Sequence, residues 1–205
     1  MKNKNIYVYI TIACIIIYIL LDLLLAHLRP DYSLIHNAES DYTRGKYSYL
    51  MDINFIVRCV FSLSFVKILW IEFSKNQKIK SATYWVIAWA ISSGLLAFFP
   101  DNPYGYPKLW TGQIHLFLAA IAFISIIVGM IKISIILKQE SLLKNISVLL
   151  LIIGIFEIIM FMLTALSGFN PHTLGGLYER IFLALIMIWQ FIISIRLWQS
   201  SNLTN

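Results

Sequence analysis

The sequence predicts an all-α integral membrane bundle of six transmembrane helices with both termini cytoplasmic, and three observations carry that prediction. Hydrophobic residues make up 60% of the chain and charged residues 13%, about half the charged share of a soluble domain. Apolar runs of about 20 residues, enough to cross a hydrocarbon core of roughly 30 Å, recur six times. The basic residues behind the net charge of +6 stand singly at the ends of these runs, a pattern of membrane topology and not of a nucleic-acid surface. Almost nothing remains for a soluble domain, so residues 1–205 are expected to form a single transmembrane domain.

The first helix is expected over residues 6–27. Lys2 and Lys4 before it resemble the basic region of a signal peptide, but the apolar run is too long for a cleaved core and lacks an Ala-x-Ala-like site, so the helix is retained. Cys14, Tyr18 and Asp22 follow at four-residue steps and share one face. Next comes the longest polar stretch of the chain, Arg29 to Leu50, a long structured loop (loop one) with Asp31, His36, Asn37, Glu39, Ser40, Asp41 and four tyrosines. Those tyrosines are expected to lay it on the membrane surface. The second helix, residues 51–73, repeats the four-residue spacing with Asn54, Arg58 and Ser62.

A short basic turn, residues 74–81, leads to a third helix over 82–99, which ends at Pro100 because proline lacks the amide and restricts its predecessor. Three prolines stiffen the polar loop that follows, edged by Tyr104, Tyr106 and Trp110. The fourth helix, residues 111–137, carries His115 one turn inside its start, with Ala119, Ala122 and Gly129 where a neighbour can approach closely. The fifth, 146–167, places Glu157 mid-span, where a neutral, hydrogen-bonded carboxyl is expected. After the polar loop Gly168–Gly176, the sixth helix, 177–198, opens on Glu179 and Arg180. Cys14 and Cys59, on antiparallel neighbours in opposite halves of the bilayer, are expected as free, buried thiols.

Lys75, Lys78, Lys80, Lys138, Lys144 and Arg196 join the N-terminal lysines on one side, so the positive-inside rule puts both termini in the cytoplasm of a bacterial plasma membrane. Loops one, three and five then face outward. That orientation gathers Asp22, Asn37, Ser40, Asp41, Arg58, Asp101, His115, Glu179 and Arg180 in the outer loops or the outer half of the bundle. Taken singly, Asp31, His36 and Glu39 are expected to be solvated loop residues. Asp22, Arg58, His115 and Glu157, inside helices, need partners, because a charge at mid-helix costs roughly 2.5–3.5 kcal/mol on insertion scales.

Arginine grips carboxylate or phosphate in bidentate fashion. Arg58 and Arg180, with Asp22, Asp101 and Glu179, are therefore expected to form a polar network under loop one. His115, His172, Asp101 and Glu179 are residue types that zinc accepts, yet no HExxH-like spacing joins them, and no metal or cofactor is expected. Ser40 beside Asp41, with His115 or His36, lacks the GxSxG frame of a nucleophile elbow and suits a turn or cap better.

Asp31–Tyr32, Asn37, Ser40–Asp41–Tyr42, Gly45 and the Leu50–Phe55 entry to the second helix form a pattern. Phe99–Pro100 with the acid that follows it, His115, Gly176–Leu177–Tyr178–Glu179–Arg180 and Trp189 extend it. On these residues the chain resembles the bacterial membrane-protein family catalogued as domain of unknown function 998. The resemblance implies the six-helix fold and this choice of residues, and carries over no activity. Three functions are expected in rank order: an outward-facing polar pocket binding a lipid headgroup or small ligand at Asp22, Asn37, Ser40, Asp41, Arg58, His115, Glu179 and Arg180; an intramembrane, metal-dependent or metal-free lipid hydrolase using His115 with Glu179 or Asp101; and a noncatalytic partner subunit of another membrane protein.

Overall fold

The computed structural model describes residues 2–105, 107–168, 170 and 172–203; Tyr106, Phe169 and Pro171 of the polar loops lie outside the described residues. Six long helices follow one another: α1 (Lys2–Leu28), α2 (Ser48–Glu72), α3 (Gln77–Leu95), α4 (Trp110–Leu137), α5 (Lys144–Ser167) and α6 (Gly175–Leu203), with no strand among the described residues. Each is long and apolar enough to cross a membrane. Every helix packs on its neighbour in sequence, and α6 returns to α1 and α2.

Burial follows the logic of a lipid solvent. Ile16, Leu20 and Leu23 of α1 and Ile152, Ile155 and Ile159 of α5 are exposed, whereas Asn54, Arg58, Ser62, Glu157 and Gln190 are buried. Water would penalise that arrangement, and hydrocarbon favours it, because polar groups then find partners only inside the bundle. The interior indoles illustrate the point: Trp89 Nε1 donates to Ser62 Oγ at 3.0 Å and Trp189 Nε1 to Ser134 Oγ at 3.1 Å.

Small residues set the tightest helix approaches. A Cβ on Gly129 of α4 would lie 3.1 Å from Val86 of α3, and one on Gly94 of α3 would lie 3.1 Å from Cys59 of α2. Cys14 and Cys59 are both free, but half-buried and not buried as expected, since each sits at the edge of a helix contact.

The helices outrun their apolar cores. α3 starts at Gln77 instead of residue 82, because Asn76 caps it by accepting from Lys78 N at 3.0 Å and Ile79 N at 3.1 Å, so polar residues form the first turn. At its far end the last turn tightens into a 3-10 turn, Leu96–Phe98, ahead of Pro100. At the end of the bundle that holds both chain termini, Lys4 pairs with Glu72 and donates to Leu197 O at 3.0 Å, tying α1, α2 and α6 together. The opposite end is closed by loop one.

Candidate functional site

Loop one is folded by its own polar side chains before it meets the helices. Arg29, just past α1, donates from Nη1 to Arg44 O at 2.7 Å and Lys46 O at 3.0 Å, pinning the end of the loop to its beginning. Its other nitrogens grip Asp31 at 2.9 and 2.8 Å. The bond to Arg29 holds the Asp31 carboxyl below the usual range, and the same bond raises Arg29. Gly45 takes a positive φ of +83° directly against the Arg29 guanidinium, where a side chain would be strained and crowded at once. Asn37 Oδ1 accepts from Ser33 N at 2.9 Å while Asn37 N donates to Ser33 O at 2.9 Å, closing a turn.

These two clasps force the intervening 3-10 turn, Glu39–Thr43, inward, and all five of its residues are buried. Among them Glu39 is 1% exposed. Tyr18 of α1 donates to its two oxygens at 2.7 and 2.6 Å, Asn54 of α2 donates at 3.3 Å, and Arg58 of α2 stands 4.0 Å away. Glu39 N in turn donates to Glu179 Oε2 of α6 at 2.6 Å. One loop residue thus meets three helices, α1 and α2 through its carboxylate and α6 through its backbone N–H.

Arg58 is held in an unusual way. Its guanidinium carbon lies 5.4 Å from the Tyr18 ring, 4.9 Å from Phe55 and 5.5 Å from Trp89, an aromatic box of the kind that stabilises cations. Its Nε has no hydrogen-bond partner, nor does Asn54 Oδ1 beside it. A buried donor without a partner is costly, and here the charge is balanced chiefly by a carboxylate carried on a loop.

Arg180 binds the loop's backbone. Its Nη1 donates to Leu34 O at 3.0 Å and Asn37 O at 2.9 Å, and its Nε lies 3.8 Å from Asp22 of α1. The approach is close because residue 176 is glycine: a Cβ there would lie 2.1 Å from Asn37 O. Leu177 N donates to Ile35 O at 2.9 Å next to it.

At the rim, Ser40 Oγ donates to Asp101 Oδ2 at 2.6 Å, and His115 Nε2 lies 3.9 Å from the same oxygen. His115 Nδ1 bonds Phe99 O at 2.6 Å. Thr43 Oγ1 accepts from Asp101 N at 2.9 Å, while Arg44 Nε donates to Asp101 O at 2.7 Å. In a Ser–His–Asp triad the imidazole stands between hydroxyl and carboxylate. In this cluster the carboxylate stands between, so the serine hydroxyl is clamped to an acid. Asp41, buried beside it, has its carboxyl pushed up to about 6 by burial, partly offset by the bond from Asn37 Nδ2 at 3.1 Å.

Asp22, Asn37, Ser40, Asp41, Arg58, Asp101, His115, Glu179 and Arg180 therefore lie in one connected polar region where loop one enters the bundle. His172 is exposed and away from it, and among the described residues no group of three or more His, Cys, Asp or Glu side chains is placed to hold a metal ion. The reading of Glu39 as a solvated loop acid is corrected: its carboxylate is buried against Tyr18 of α1 and Asn54 of α2. The membrane-surface reading fails for Tyr42, 0% exposed inside the bundle, whereas Tyr32 and Tyr47 are half-buried and Tyr49 is exposed. His36, half-buried, bonds Thr173 O at 2.6 Å through Nδ1. Thr43 and Arg44 were missed; only the demand that Pro100 and Asp101 be held would have flagged them. Glu157 is 0% exposed, yet neither oxygen has the hydrogen bond expected for it.

The family model described as Protein of unknown function (DUF998) matches residues 12–196 of the 205, and the chain belongs to that family. No curated protein and no solved structure matches it.

Proposed function

We propose that this member of the DUF998 family is a multi-pass protein of the bacterial plasma membrane, with both termini cytoplasmic, that binds an oxyanion at Arg58 when loop one opens outward. The oxyanion is the phosphate or carboxylate of a lipid headgroup or of a small free molecule. One observation carries the reading: a guanidinium 3% exposed, boxed by three rings, whose nearest carboxylate is 4.0 Å away and belongs to loop one. Glu39 occupies the place of a ligand anion, and a bidentate oxyanion satisfies the unpaired Nε, which Glu39 does not. The basic residues grouped near the chain termini support the orientation.

Native mass spectrometry and thermal shift on the purified chain, offered phosphatidylglycerol, phosphatidylethanolamine or inorganic phosphate, test this reading and separate the two sources. Arg58→Gln is expected to abolish the retained oxyanion, and Glu39→Gln, which removes the internal competitor, to tighten it. An Arg58→Gln protein of unchanged helical content that keeps the same ligands with the same affinity overturns the proposal.

A further inference from the structure

At the end of the bundle remote from loop one, the start of α3 and the end of α4 line an open groove of about 470 Å³. Lys78 and Lys132 line it, with Ser81 between them and Ala82, Ile135 and Ile136 as its apolar part; no carboxylate is among the lining residues. A second groove, about 680 Å³, adjoins it through Lys78 and adds Lys75. The two acids in that second groove are already engaged, Glu72 with Lys4 and Glu140 with Asn76 Nδ2 at 2.6 Å.

Lys132 is the informative residue. It stands five positions before the end of α4, about 7.5 Å inside the helix terminus, and is exposed on the surface of the bundle. An ammonium at that depth is costly unless its stem carries it toward the headgroups or an anion meets it. Its Nζ is drawn over the Trp85 ring of α3, 5.4 Å from the centroid, which holds the charge across the groove instead of out in water.

We propose that this groove binds an anionic phospholipid, with Lys78 and Lys132 pairing the phosphate, the Ser81 hydroxyl donating to it, and an acyl chain lying along Ala82, Ile135 and Ile136. Two lysines with no carboxylate in the lining, beside apolar residues, complement a phosphate joined to a chain; a free anion lacks the chain, and a zwitterionic lipid brings a headgroup cation that the lysines repel. In the orientation proposed above, the groove opens to the cytoplasmic leaflet, where basic pockets between helices meet anionic headgroups. The site is separate from Arg58, and neither proposal depends on the other's ligand.

The test titrates the delipidated full-length protein in detergent with phosphatidylglycerol, phosphatidylcholine or inorganic phosphate and counts bound molecules by native mass spectrometry. The Lys78→Gln/Lys132→Gln double variant is expected to bind phosphatidylglycerol about 25-fold more weakly, roughly fivefold per lysine, with phosphatidylcholine unaffected. Lys132→Arg is expected to retain binding, and Arg58→Gln to leave this lipid in place. Retention within about twofold in the double variant overturns the proposal, as does equal binding of phosphatidylcholine, displacement by inorganic phosphate, or loss of this lipid with Arg58→Gln alone.

Discussion

Replacing Gly176 with alanine is expected to lift loop one off α6. The new Cβ would lie 2.1 Å from Asn37 O and 2.8 Å from its carbonyl carbon. These are backbone atoms, fixed on one side by the Ser33–Asn37 turn and on the other by Arg180, so no side-chain rotation relieves the clash. The loop then gives up the bond from Leu177 N to Ile35 O at 2.9 Å and the two from Arg180 Nη1 to Leu34 O and Asn37 O at 3.0 and 2.9 Å. A neutral hydrogen bond contributes roughly 1 kcal/mol and one from a charged donor roughly 1.5–3. Water reaching the freed groups offsets part of this, which leaves a loss of about 2–3 kcal/mol. For a chain of this size that corresponds to a fall of roughly 5–10 °C in the unfolding midpoint. Hydrogen exchange over residues 34–43, read beside the midpoint, is the assay, because the effect is centred on that segment. A variant with unchanged exchange there and a midpoint within about 1 °C of the parent refutes the reasoning.

Two further outcomes follow from buried carboxyls. Asp41 is raised to about 6 chiefly by burial, so the folded chain holds its proton more tightly than the unfolded chain, whose aspartates titrate near 3.9. The sign is that of a raised group: its contribution is full below about pH 4 and is lost as pH rises through about 6, by at most about 3 kcal/mol. After correction for the intrinsic pH dependence of amide exchange, loop one is therefore expected to be more protected at pH 5 than at pH 7.5, and Asp41→Asn to abolish that difference in protection; an equal pH response in the variant sinks the assignment. Glu157, 0% exposed with both oxygens unpartnered, carries a desolvation cost that a thioether does not. Glu157→Met is expected to raise stability by about 1–2 kcal/mol in thermal unfolding, and a lower midpoint would mean that the carboxyl has a partner in the membrane.

The helices were legible because lipid demands long apolar runs, and the polar stripes because buried side chains must share a face. Tyr18 and Asp22 on α1, with Asn54 and Arg58 on α2, were named from four-residue spacing, and the structure turns all four toward the loop-one region. What spacing does not reveal is what the stripes face. Glu39 lies in a polar stretch with no period, and its burial depends on two clasps, Arg29 to Arg44 and Lys46, and Ser33 to Asn37, whose partners are backbone atoms that any sequence offers. Gly176 and Gly45 are visible as glycines, but only coordinates say that Asn37 and Arg29 press against them. The start of α3 was missed by five residues for a similar reason: a cap at Asn76 extends a helix through residues that hydropathy assigns to a turn.

These features bear on one another through charge. Two guanidiniums, on Arg58 and Arg180, share the loop-one region with carboxyls from Asp22, Glu39 and Glu179, and only Glu39 among them belongs to a loop. If loop one withdraws alone, Arg58 is left as a buried cation without its counterion, and removing one partner of a buried pair costs roughly 3–5 kcal/mol. That penalty adds to the bonds at Gly176 and Arg180, so spontaneous opening is rare. An incoming oxyanion removes the electrostatic part of it and leaves the backbone bonds, with those from Tyr18 and Asn54 to Glu39, to break. Under the proposed function, opening of loop one and arrival of an anion at Arg58 are then a single linked equilibrium, in which the ligand's advantage is the difference between its contacts with Arg58 and those of Glu39. One Tyr18 hydroxyl proton shared between the two Glu39 oxygens and one Asn54 N–H, against one ion pair at 4.0 Å, set that difference. Glu39 is held chiefly by its hydrogen bonds to tyrosine and asparagine, and Arg58 is its contact most open to exchange.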